Sequence, residues 1–178
     1  MNYIYHAAPE QMVGSLLMPL NQMQSSHPEL YKLHSAKYKG RAEIMERRVP
    51  LLDCLWNDVV QFLPLDPQNV FDFQKQLGLI KNVSPIKFFK IDPGILDPTK
   101  TVVFFKTAPG EQNVEVKWLR DVDLAKIQEV PEATINYYKS LIGTGERPFN
   151  YQFIPHLLYK GTVDVSKSST ISLRQHSG

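Results

Sequence analysis

A chain of 178 residues, 43% hydrophobic and 21% charged, is long enough to bury a core of its own and reads as one domain over 1–173 with a loose tail at 174–178. A net charge of +2 makes no case for nucleic acid by itself, and the single cysteine, Cys54, excludes an internal disulfide and a cysteine-built zinc site. No stretch reaches the ~18 apolar residues of a membrane-spanning helix, and the opening MNYIYHAAPEQ lacks the basic start and apolar core of a secretory leader, so no membrane contact and a cytoplasmic location are expected.

Residues 2–6 alternate Tyr3 and Tyr5 with Ile4 and His6, which predicts a first strand. Residues 7–20 read as a helix, with Pro9 in its first turn, Glu10 suited to the dipole, and Met12, Val13, Leu16, Leu17 and Leu20 at helical spacing. His6 then ends a strand and faces a helix start. That is a place for a ligand-binding side chain, although a lone histidine is more often a structural hydrogen-bonder. A polar loop at 21–26 leads to a helix at 28–38 that Gly40 stops, and 42–48 forms a further helical segment.

The stretch 41–73 brings three features together. Arg47 and Arg48 close the helical segment, and an apolar run (Val49, Leu51, Leu52, Leu55, Trp56) follows it. Residues 58–64 read as a buried strand. Asp66 as N-cap and Pro67 at the first helical position then open a helix that carries Val70, Phe71, Phe73 and Leu77 and stops at Gly78. Guanidinium groups beside a helix N-terminus suit a phosphate or carboxylate. The blander reading is that Arg47 and Arg48 are dipole partners at a helix end and pair with Glu43 or Glu46 at the surface.

Further strands are predicted at 84–91 and at 101–107, the second apolar on both faces and so interior, with residues 102–105 buried. Residues 113–118 set Val114, Val116 and Trp118 against Glu115 and Lys117, a half-buried strand. A short helix at 121–128 and a longer one at 131–142 precede strand material at 149–160, 161–165 and 171–173. Strands and helices alternate without a regular βαβ rhythm, which gives the α+β class. The sequence has no GxGxxG, Walker loop, HExxH or GxSxG, and His27, His34, His156 and His176 lack metal-ligand spacing, so no metal is expected.

Several segments, taken in order, resemble the ADP-ribosyltransferase superfamily, and most of all its DarT-type branch of toxins that modify single-stranded DNA with NAD. They are IYH (4–6), AEIMERR (42–48) with DVVQFLPLDP (58–67), TVVFFKT (101–107) with VEVKWL (114–119), and YQFIP (151–155) with GTVDV (161–165). The resemblance implies a split, mostly antiparallel sheet with surrounding helices, arranged about a cleft that holds NAD, with no metal. It puts His6 on the NAD ribose with Tyr5 and Phe62 beside the cofactor, assigns Arg47 and Arg48 to the catalytic end, and makes the acceptor single-stranded nucleic acid or protein. Where the family carries its catalytic glutamate, on a late strand, this chain has Gln152. An amide there keeps hydrogen bonds but loses charge and basicity, and Glu146 or Asp164 could replace it only in a shifted alignment. Asp66 also departs from the branch, which has a small or basic residue there. The expectation is therefore NAD or ADP-ribose binding with mono-ADP-ribosyl transfer, or alternatively a catalytically inactive domain of the same fold that binds a nucleotide or a protein.

Overall fold

The computed structural model describes residues 2–40, 42–83 and 85–174. Its strands are β1 (Ile4–Ala7), β2 (Leu16–Leu17), β3 (Arg48–Val49), β4 (Cys54–Leu55), β5 (Val60–Phe62), β6 (Lys87–Ile91), β7 (Thr101–Lys106), β8 (Val114–Trp118), β9 (His156–Tyr159), β10 (Val163–Asp164) and β11 (Ser169–Ser172). The helices are α1 (Leu20–Ser26), α2 (Pro28–Ser35), α3 (Ala42–Glu46), α4 (Pro67–Gln76) and α5 (Glu132–Ser140). The class is α+β, as expected, and the sheets are antiparallel with none closed into a barrel.

The larger sheet has the order β5-β9-β7-β8 and the smaller one β1-β6-β11. They meet at one residue pair: Tyr5 and Leu63 exchange backbone hydrogen bonds of 2.9 and 2.8 Å. Next to that pair the two strands are joined by a side chain instead of the ladder, because the His6 ring reaches the Gln61 carbonyl through Nδ1 at 2.6 Å. The sheet is thus split at β1 and β5, and His6 spans the start of the split.

Alternation along the strands builds two cores on opposite faces. Phe62, Leu157 and Val103 stand side by side across β5, β9 and β7, and they cluster with Ile4, Leu17 and Val163. Tyr5 and Leu63 point the other way, into a cluster with Val70 and Phe71 of α4 and Tyr138 of α5. The α4 helix forms where its end signals put it: the Asp66 side chain accepts from the Gln68 N–H at 2.9 Å, and Gly78 follows with φ of +71°. Val102, Val103 and Phe104 of β7 are buried and Phe105 is half-buried.

Three expectations are corrected. Residues 7–20 are not a helix. Gly14, at φ of +55°, turns the chain so that Val13 and Leu16 bridge, and Leu16–Leu17 pairs with Val163–Asp164. Residues 21–26 are not a loop, since α1 covers them behind Pro19 with Leu20 and Met23 inward. Of 149–160 only β9 is strand. Ahead of it Tyr138 donates its hydroxyl to the Asn150 carbonyl, Thr134 donates to the Gln152 carbonyl at 2.8 Å, and Phe153 takes a positive φ of +62°. Those side chains of α5 hold 151–153 in a turn that a continuous strand would exclude. Arg174, the described part of the expected tail, is tied by its backbone N–H to Gln68 Oε1 at 2.8 Å, and 175–178 lie outside the described residues. No helix among the described residues is long and apolar enough to cross a membrane.

Candidate functional site

Where β1 and β5 part, a half-enclosed cavity of about 290 Å³ opens, at the lower end of the range for small-molecule sites. Its apolar wall comes from Met12, Leu16 and Leu17, from Leu20 and Met23 of α1, and from Val59 and Val60. The helical spacing in 7–20 that suggested a buried helix face is thus spent on a turn and short strand that line a cavity. His6, Gln61, Asn57, His34, Lys37 and Tyr38 supply the polar lining.

His6 sits with its ring tilted against Phe62, centroids 5.6 Å apart. Withdrawal from water pushes its pKa down to about 4, the Gln61 hydrogen bond works in the other direction, and the Lys37 cation adds to the lowering. The ring is therefore neutral at pH 7. With Nδ1–H donating to Gln61, the neutral tautomer leaves Nε2 as an acceptor. Asn57 is a donor of the opposite kind. It is 2% exposed and lines the same cavity, and its Nδ2 has no hydrogen-bond partner among the described residues. Leaving a buried donor unmet costs about 1–3 kcal/mol, so at this cavity the fold carries a polar group that no described residue satisfies. Its short 3-10 turn is fixed by Asp58, whose carboxylate accepts from the Leu55 N–H at 2.7 Å and from the Asn21 amide at 2.8 Å. His34, on α2, holds the Gln11 carbonyl at 3.0 Å through Nε2, and Lys37 lies over the Tyr38 ring at 5.0 Å. No aspartate or glutamate is among the described lining residues.

The other residues expected at the site lie elsewhere. Tyr5 does not line the cavity, because successive strand residues face opposite ways. Its hydroxyl faces the Asp66 carboxylate, and burial first, then that carboxylate, pushes its pKa up to about 12. Phe62, 1% exposed, is the floor under His6. Arg47 stacks over Trp56 at 5.4 Å and lies 3.6 Å from Glu111, while Arg48 pairs with Asp53. Neither arginine lines the cavity, and their acidic partners are not Glu43 and Glu46. Gln152 lines a separate, open groove of about 600 Å³ between α5 and the 107–109 turn, with Glu132, Asn136 and Tyr137. Glu146 is exposed, and Asp164 accepts from Ser15 at 2.6 Å.

Asn57 and Tyr38 carry no site signal in the sequence, Lys37 shows there only as one cation of the basic run over 27–48 that could meet phosphates, and His34 lacks metal-ligand spacing. The one signal is weak: a neutral amide, Asn57, stands between the apolar pair Leu55–Trp56 and Asp58, just ahead of a strand. No protein-family model matches the chain, and neither a curated protein nor a solved structure matches it.

Proposed function

We propose that the protein binds an NAD- or ADP-ribose-type nucleotide, with one end of the ligand seated in the His6 cavity, and that it transfers ADP-ribose slowly or not at all. The observation that carries this reading is the meeting of a neutral acceptor (His6), a buried donor without a partner among the described residues (Asn57) and a cation (Lys37) on one half-enclosed, largely apolar cavity. A space of about 290 Å³ suits one half of a dinucleotide, the rest lying outside over the α2 side.

NAD would supply the bond whose cleavage leaves positive charge on its ribose. The chain's own residues there can bind and orient, but the described lining holds no carboxylate to offset such charge. Losing one electrostatic contact of that kind costs about 10²- to 10³-fold in rate. A thermal-shift panel of NAD, ADP-ribose, AMP and ATP tests the binding, and labelled NAD incubated with DNA, RNA and protein tests the transfer. Stabilisation by NAD or ADP-ribose with little label transferred is the expected result, whereas a panel in which no nucleotide raises the melting temperature overturns the reading.

A second reading, an active transferase acting on a single-stranded nucleic acid, is favoured by the guanidinium groups of Arg47 and Arg120 lying over the half-buried rings of Trp56 and Trp118. Cations and aromatic rings together are what hold unpaired bases. Vigorous transfer of label to single strands would decide for it.

A further inference from the structure

We infer that Asn57 is a specificity-determining residue, and that the end of the ligand inside the cavity is an uncharged group bearing a hydrogen-bond donor and an acceptor, such as a carboxamide or a nucleobase edge, with any phosphate left outside. The inference deepens the reading above and rests on the same cavity. Three observations carry it. Asn57 is 2% exposed, lines the cavity, and carries an Nδ2 with no hydrogen-bond partner among the described residues. His6, committed to Gln61 through Nδ1, has only an acceptor left to offer. The cavity's lining is largely apolar and holds no acidic side chain among the described residues.

A phosphate or carboxylate placed inside would satisfy Asn57 but would set its lone pairs against the lone pair of His6 and lose its hydration. A neutral edge with one N–H and one acceptor satisfies both side chains at once. Lys37, of the α2 side, is then the natural neighbour of the phosphate that follows. A donor that no described residue satisfies also has a thermodynamic signature: replacing it by an apolar group of similar size should stabilise the free protein while removing affinity.

The test uses two pairs of near-isosteric ligands, each measured by calorimetry at pH 7.5 on the full chain. Nicotinamide mononucleotide against nicotinic acid mononucleotide exchanges the amide for a charge, and AMP against purine riboside monophosphate deletes the exocyclic donor. In at least one pair the first member should bind tenfold or more tightly than the second. Asn57→Leu should weaken that member by about 10- to 100-fold and leave the melting temperature of the free protein unchanged or a few degrees higher. Equal affinities within both pairs, or a variant that binds as the parent does, overturn the inference even if NAD and ADP-ribose bind. If neither NAD nor ADP-ribose binds but free nicotinamide or adenosine does, with loss in Asn57→Leu, the nucleotide reading falls and the inference stands. Should Asn57→Leu fail to fold, the ligand pairs alone decide.

Discussion

Two concavities divide the residues that the sequence brings forward: the His6 cavity, about 290 Å³ and half-enclosed, and the Gln152 groove, about 600 Å³ and open. The groove is the larger, yet the cavity is the better site. In the groove, polar side chains such as Glu132 and Asn136 are exposed to water, and contacts made there compete with solvent. In the cavity Asn57 is buried and His6 half-buried, so hydrogen bonds there are better shielded from water and a missing one is costly. The comparison teaches that enclosure and unmet polar groups, more than volume, mark where a ligand gains affinity.

The largest expected effect falls on the core beneath His6. Phe62→Ala removes the floor under His6 and should cost about 3–5 kcal/mol in urea unfolding, with binding lost alongside. A loss below about 1 kcal/mol would mean that the site can collapse around the gap, and the contrast in rigidity between the two regions would go.

Acid should act on the cavity next. The folded-state pKa of His6 is depressed, to about 4 from the usual 6.5, so between those values the unfolded chain binds a proton that the folded one does not. Stability is therefore undiminished above about pH 6.5 and falls as the pH drops towards 4, by up to roughly 3 kcal/mol. His156, also withdrawn from water and lowered, adds to the loss in the same direction. His6→Gln should flatten the His6 share of the profile, seen as a smaller drop in the urea midpoint between pH 7 and pH 5. An unchanged profile would place the His6 ring in water.

At the groove the expected effects are small. Gln152→Glu should change nucleotide affinity less than twofold by calorimetry, because the residue lines the other concavity. A large gain in NAD turnover in that variant would move the chemistry to the groove and reverse the comparison. Smallest of all is Arg48→Ala. The Arg48 side chain is 70% exposed and pairs with a still more exposed Asp53, so the loss should stay within about 1 kcal/mol, with binding intact.

Much of the fold was legible because its signals are local. Asp66, Pro67 and Gly78 bound α4 by their own backbone chemistry, and β7 shows as a run apolar on both faces. The stretch 7–20 was not legible: Met12, Leu16, Leu17 and Leu20 fit a helix by spacing, and only the pairing of Leu16–Leu17 with Val163–Asp164, about 147 residues away, makes it a turn and strand. Turn 151–153 likewise depends on Thr134 and Tyr138 of a distant helix. At the site, the strand-end position of His6 was a sound local clue. Tyr5 and His6 could not share a cavity, however, and strand alternation already says so. Asn57 was illegible because what distinguishes it is burial without a partner among the described residues, which only the packed chain reveals.

The most direct measurement is calorimetric titration of ADP-ribose and NAD into the parent protein, His6→Ala and Asn57→Leu at pH 7.5. Saturable one-to-one binding to the parent, weakened at least tenfold in both variants, is the predicted result. No binding to the parent, or binding that both variants retain in full, would contradict the account.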